Sequence, residues 1–282
     1  LWPIIGPTGE PMTRAYPVGP SLEMDQTDHV HHRSMWIGYE GLNGQDYWHE
    51  KEQGVQRPYP LGRVIHRGFS KLETVDNTVV LVAQNDWLGG EDQLICSDTR
   101  TLRFGGDAGQ RWIDVFLDLK ATAGPLQVGD SKEGFFALRV APTIRADANR
   151  GGRIVTSNGK ENEHAWGLPA EWVDYHGPVA GKTVGIALLR HPKSFNGAPR
   201  WHVRPYGLFA ANPFGEVAFT DPESEVSKRP LRITVSEKES LQFRYRVILH
   251  EGNAQEAQIA ERFQKFAEEP FSDAKAESQL PL

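Results

Sequence analysis

Cys96 is the only cysteine in 282 residues, so no intrachain disulfide is available and the cysteine count says nothing about the redox compartment. No apolar run approaches the roughly 18 residues that a membrane helix needs, so no membrane span is expected. Positive charge is not in excess either. The chain has 31 Lys and Arg against 37 Asp and Glu, a formal net charge of −6, with no basic stripe to meet a phosphate backbone. A nucleic-acid partner is therefore not expected. There is no Gly-rich phosphate loop and no G-x-S-x-G elbow. Cys96 sits in the strand-like Leu94-Ile95-Cys96 without a companion signature and reads as a buried structural thiol. Leu1 is not an initiator; removal of an upstream signal peptide would place the protein in the periplasm or outside the cell, and otherwise it would be cytoplasmic.

What the chain does contain is 8 Trp, 28 Gly, 19 Pro and 10 His. A chain this long buries roughly three quarters of its extended surface and needs no covalent or metal staple. Alternation with period two dominates. Between Arg111 and Ala121, Ile113, Val115, Leu117 and Leu119 are apolar while Asp114, Asp118 and Lys120 alternate with them, which describes a strand with one wet face. Leu241 to Leu249 repeats the pattern, and with Leu231 to Val235 before it reads as an antiparallel hairpin. Arg63–Phe69, Val79–Trp87, Gln93–Phe104, Phe135–Ala141 and Thr183–Leu189 are further strand candidates, separated by turn signals such as Gly105-Gly106, Asn158-Gly159 and Asn196-Gly197. One helix is expected over about 253–268, with Asn253 as N-cap and Glu256 completing a capping box. The expectation is a single all-β domain over 1–282, a large antiparallel β-sandwich with one C-terminal helix.

Candidate chemistry lies in four polar-aromatic patches. Asp28-His29-Val30-His31-His32-Arg33 is the densest, followed by Trp36, Tyr39, Tyr47, Trp48 and His49. In an extended segment His29, His31 and Arg33 would share one face, with Asp28 and His32 on the other. Imidazoles at this density suit proton transfer near neutral pH, or a metal, although the H-x-H pair lacks a third ligand at a recognised spacing. The second patch is the charged turn Gly129 to Gly134, where Lys132 and Glu133 precede Phe135 and Phe136 and could supply an acid or base tuned by burial. In the third, Trp201 to Gly207, alternation puts His202, Arg204 and Tyr206 on one face, ahead of Asn212-Pro213-Phe214-Gly215. Trp166, Trp172, Asp174, Tyr175 and His176 form the fourth, which also suits core residues whose polar tips find one partner.

These blocks, with Ile5-Gly6-Pro7-Thr8-Gly9, Asn43 to Trp48, Trp172 to Tyr175 and the terminal Tyr245-Arg246-Val247 to His250, resemble a bacterial family of uncharacterised proteins labelled "methane oxygenase PmoA-like". Methane oxidation by a membrane subunit would need several apolar spans, and the sequence has none. The layout is also similar to the galactose-mutarotase-like super-sandwich, whose members mostly act on sugars; no catalytic residue of that architecture is carried over. The expectation is a carbohydrate-active enzyme that cleaves, eliminates or epimerises a glycoside or oxidised (keto) sugar, with a small-molecule or oligosaccharide substrate. His29, His31, His32, Lys132, Glu133 and His202 are the catalytic candidates. Arg33, Trp48, His49, Trp166, His176, Arg204, Tyr206 and Asn212 are the substrate-binding ones. A divalent metal held by histidines, or a non-catalytic carbohydrate-binding module, are the alternatives. All four patches are expected to meet in one cleft.

Overall fold

A computed structural model describes residues 1–21, 24–51, 55–107, 109–196, 199–226, 228 and 232–271. In chain order its strands are β1 Met35–Leu42, β2 Gln45–Asp46, β3 Arg63–Val75, β4 Thr78–Leu88, β5 Leu94–Gly106, β6 Gln110–Lys120, β7 Leu126–Val128, β8 Gly134–Arg139, β9 Arg153–Thr156, β10 Trp172–Val179, β11 Lys182–Arg190, β12 Arg200–Val203, β13 Leu208–Asn212, β14 Ile233–Val235 and β15 Ser240–Glu251. They form two antiparallel sheets. The smaller runs β12-β13-β8-β1-β7-β14 with β2 beside β1, and the larger runs β3-β4-β5-β6-β15-β11-β10-β9.

Inward residues of both sheets, among them Met35, Leu138, Phe209 and Trp201 from the smaller and Val115, Leu117, Tyr175, Leu188 and Tyr245 from the larger, make one shared core. This is the sandwich expected from the alternation, with β6 and β15 the clearest case: Ile113, Val115, Leu117 and Leu119 face that core. Cys96 is fully buried there, and burial pushes its thiol up.

Three local expectations are corrected. Val235 and Leu241 do not belong to one hairpin: β14 pairs with β7 in the smaller sheet and β15 with β6 and β11 in the larger, so the chain changes sheets at Ser236–Glu239. Leu231, expected to begin that strand, and Gly197 of the Asn196-Gly197 turn lie outside the described residues. Gly105 and Gly106 continue β5 instead of ending it. The capping box does form, with Asn253 Oδ1 accepting from the amides of Gln255 and Glu256, and Glu256 Oε2 accepting from the Asn253 amide at 2.8 Å. It closes a turn, because Gln258 adopts a left-handed φ of +53° and the helix α1 begins only at Ile259 and runs to Glu268. Ile259, Phe263 and Phe266 of α1 cover Trp172, Ala187, Leu189 and Ile248 on the outer face of the larger sheet. Arg246 anchors its end, bidentate to Asp114 at 2.5 and 2.7 Å and reaching Glu269 at 2.7 Å.

The outer face of the smaller sheet positions the site. Strand register sets His202, Ala210, Ala137 and Trp36 in one row across β12, β13, β8 and β1. Four strands at about 4.8 Å spacing make that row roughly 14 Å wide. The two alanines in its middle leave room for Trp48, which packs on them together with Leu208, Trp36 and Tyr206.

Candidate functional site

The segment that carries His29, His31 and His32 is a turn. His29 has φ +46° and its carbonyl accepts from the His32 amide at 3.0 Å, so the face separation expected of an extended segment is replaced by a gathering of all three rings. Ring centroids lie 5.6 Å (His29–His31), 4.7 Å (His29–His32) and 4.5 Å (His31–His32) apart. Two buried arginines hold the turn from below. Arg14 donates to the carbonyls of Gln26, Asp28, His29 and His32, and Arg139 to Gln26 Oε1, Asp28 Oδ1 and His32 Nδ1. Four main-chain carbonyls outside any strand ladder are satisfied in this way.

The tautomers follow from the partners. A guanidinium only donates, so His32 Nδ1 accepts from Arg139 at 2.9 Å and its proton sits on Nε2. Burial, with His31 and Arg139 nearby, pushes the His32 pKa far down, so the ring works as a neutral donor and not as a proton acceptor. His49 is the reverse. Asp46, fully buried, takes the amides of Trp48 and His49 on Oδ1 at 2.9 and 3.0 Å and His49 Nδ1 on Oδ2 at 2.9 Å. The burial that would raise the Asp46 carboxyl is outweighed by these bonds, which hold it below the usual carboxylate range. Nδ1–H of His49 thus points at a carboxylate, leaving Nε2 as an oriented acceptor.

His31 contacts His49 at 4.7 Å between centroids, and burial with the adjacent imidazoles brings its pKa down to about 3. From the other side come Glu133 and His202. His202 Nδ1 donates to the Lys132 carbonyl at 2.9 Å and stands 3.8 Å from Glu133 Oε2, while its Nε2 accepts from Arg204 Nε at 3.3 Å. Burial lowers His202 to about 4. For Glu133 burial pushes upward, but His202, the Lys132 ammonium that reaches it at 2.8 Å, and His49 outweigh this and hold it below its ordinary value. Tyr206, on the turn after β12, stacks with His29 at 5.4 Å and lies under the Arg139 guanidinium at 4.7 Å. Three of the four patches, plus Trp166 of the fourth, therefore converge on one bay.

Other expected residues are placed differently. His176 stands on the outer face of the larger sheet, donating from Nδ1 to Asp174 Oδ1 at 2.6 Å, because β10 turns Val173 and Tyr175 to the core and Asp174 and His176 away from it. Trp172 lies under α1. Asn212 is buried and occupied: Nδ2 donates to the Ser131 carbonyl and Oδ1 accepts from Phe214 and Gly215, so it secures a turn. Arg33 is exposed and engages Glu50 with both Nε and Nη2. Arg204 lies past the end of β12, on a turn, and not in a strand row with His202. Asp46, Arg14 and Arg139 were not among the candidates; Asp46, three residues before His49, carried a signal in that spacing, whereas the arginines reach the turn from residues 12 or more away.

Three indoles around the bay, those of Trp36, Trp48 and Trp166, have buried N–H groups with no acceptor among the described residues. A buried N–H without a partner costs about 1–3 kcal/mol, a cost that an oxygen acceptor reaching the wall of the bay would relieve. Among the described residues, Glu40, Asp46 and His49 bring one donor atom each within 4.8 Å of one another. Both Asp46 oxygens are already bonded and Glu40 Oε2 accepts from Ser131 Oγ at 2.6 Å, so a cation there would displace existing bonds.

A family model described as a family of unknown function, DUF6807, matches residues 1–264. The chain belongs to this family. All of the DUF6807 bay, from His29 to Tyr206, falls inside the matched span. A search of curated proteins returns no match. No helix among the described residues of this DUF6807 chain is long and apolar enough to cross a membrane.

Proposed function

We propose that the bay is the active site of a carbohydrate-active enzyme that uses histidine and carboxylate acid-base chemistry to cleave, eliminate or epimerise a glycoside or oxidised sugar. The observation that carries this reading is the convergence of an Asp46-oriented His49 with His31, Glu133 and His202, walled by indoles and Tyr206. His49 Nε2 is the proton acceptor, and Glu133, paired with Lys132, is the carboxylate that steadies or exchanges a proton with its neighbours. His32, held neutral with Nε2–H, and the indole N–H groups donate to oxygens on which charge develops. Aromatic faces with polar edges suit the CH-rich and hydroxylated faces of a sugar ring. The likeness of the layout to mutarotase-like sandwiches, whose members mostly act on sugars, points the same way by analogy.

A second reading adds a divalent metal, favoured by the Glu40, Asp46 and His49 donors. A thermal-shift panel of mono- and disaccharides, sugar acids and keto-sugars, each with and without divalent metal, separates the two and identifies a ligand. On the substrate so found, His31→Ala combined with His202→Ala abolishes turnover; unchanged turnover sinks the assignment. Stabilisation that requires metal and is reversed by chelator selects the second reading.

A further inference from the structure

At the bay Arg204 lacks a carboxylate partner among the described residues. Lys132 pairs with Glu133 and Arg33 with Glu50, while Arg14 and Arg139 share the single carboxylate of Asp28. Arg204 makes no ion pair among the described residues, and its one side-chain hydrogen bond is from Nε to His202. Its terminal nitrogens are left with donors to spare. The guanidinium is nonetheless held in place: it lies 4.6 Å over the Trp166 ring, and its own main-chain carbonyl accepts from the core residue Tyr175 at 3.2 Å. A half-buried, stacked guanidinium with an open fork matches a carboxylate in bidentate geometry. The Trp166 Nε1–H beside it also has no acceptor.

Glu133 does not spoil this receptor. The His202 ring stands between the two groups, Nε2 toward Arg204 and Nδ1 toward Glu133, and the Glu133 charge is already matched by Lys132. The single open fork of Arg204 matches one carboxylate.

We propose that Arg204 receives the carboxylate of a sugar acid, so that the bay selects uronate-type sugars over neutral ones. This rests on the carbohydrate reading above and names its substrate class. The test is calorimetric titration of the full chain with glucuronate and galacturonate, their methyl esters, glucose and galactose, and glucose 6-phosphate. The uronates bind roughly ten-fold or more tightly than the corresponding methyl esters, the increment expected for hydrogen bonds to a charged group. Arg204→Gln brings that ratio to near one, and Arg204→Lys restores part of it. Equal binding of acid and ester by the wild-type chain, a preference that survives in Arg204→Gln, or tighter binding of the phosphate overturns the proposal. If Arg204→Gln fails to fold, the wild-type ratio of acid to ester decides alone. Neutral sugars bound without preference refute the carboxylate while leaving the carbohydrate reading in place, whereas no binding of any sugar refutes both.

Discussion

Around Asp174 and around Asp46 the chain builds related units, a buried carboxylate gripping two imidazoles at Asp174 and one at Asp46, on the outer faces of opposite sheets. In the larger sheet, register sets His176, Gly185 and His250 in one row across β10, β11 and β15. A Cβ on Gly185 would lie 2.3 Å from His250 Cε1, so only glycine lets that ring cross the row to Asp174 Oδ2 at 2.7 Å. His250 Nδ1 meets the Glu251 carbonyl at 3.2 Å, and His176 takes the other Asp174 oxygen. Almost every polar atom of this clasp is consumed. The Asp46 unit is finished otherwise, with His49 Nε2 left over and indole donors around it unsatisfied. Buried titratable groups thus mark both places, and leftover hydrogen-bonding capacity distinguishes the one that can take a ligand.

The sharpest way to break the comparison is to remove each carboxylate. Asp174→Ala leaves two buried imidazoles without their acceptor and is expected to lower unfolding free energy by about 3 kcal/mol or more, with ligand affinity at the bay intact in the folded fraction. Asp46→Asn keeps an oxygen for the Trp48 and His49 amides but presents an NH2 to His49 Nδ1, so the Nδ1–H tautomer is no longer imposed. Turnover on the identified substrate should fall about a hundred-fold or more, with a smaller stability loss. Urea denaturation and steady-state kinetics on both variants read these outcomes. If Asp174→Ala abolishes activity while Asp46→Asn does not, the roles assigned to the two clusters are reversed.

Acid should separate the clusters by pH window. His31 and His202 have folded values of about 3 and about 4, below the 6.5 of an unfolded histidine. The unfolded chain therefore takes up these protons first. Their contribution is complete above pH 6.5 and falls as the pH drops toward the folded values, at about 1.4 kcal/mol per pH unit for each ring. For Asp174, burial pushes up, but the bonds from His176 and His250 prevail and hold it below 3.8, so its contribution is present above that value and is lost only as the pH falls through the lower folded one. Unfolding free energies measured between pH 7 and 4.5 should decline, and His202→Gln should flatten the decline. A wild-type profile that is level across that window contradicts the buried, neutral state of the bay histidines.

The sandwich was legible because its long strands bury one face, and β6 and β15 print that in their alternation. The short strands of the smaller sheet were harder. β8 is buried along its whole length, with Phe135 and Phe136 both in the core and Ala137 under Trp48, so it lacks a polar phase, and β1 mixes aromatic and small residues on both faces. The residues of the bay were legible as types, since His, Glu, Trp and Arg in dense patches are uncommon on a plain surface. Their assembly was not, because it depends on a left-handed His29 and on arginines from remote segments, neither of which has a local period. His176 misled for the same reason: its neighbours resemble those of the bay, while the phase of β10 alone decides which face it joins.

The finest discrimination concerns the unsatisfied donors, and Trp48→Phe tests it with the least disturbance. Trp48 is 2 % exposed, packed among Trp36, His31 and His32, and its Nε1–H has no acceptor. Phenylalanine keeps the aromatic face on Ala137 and Ala210 while removing both some volume and the unpaired donor. The lost volume destabilises and the lost donor relieves a desolvation cost, so the two effects oppose and the net change in stability should stay within about 1 kcal/mol. If the N–H serves the ligand, affinity should fall by roughly 0.5–1.5 kcal/mol, the worth of one neutral hydrogen bond. Thermal melts and ligand titration of the same preparation separate these terms. A stability loss well above that bound with affinity untouched would mean that the indole is simply core, and that the bay is closed more nearly like the Asp174 clasp.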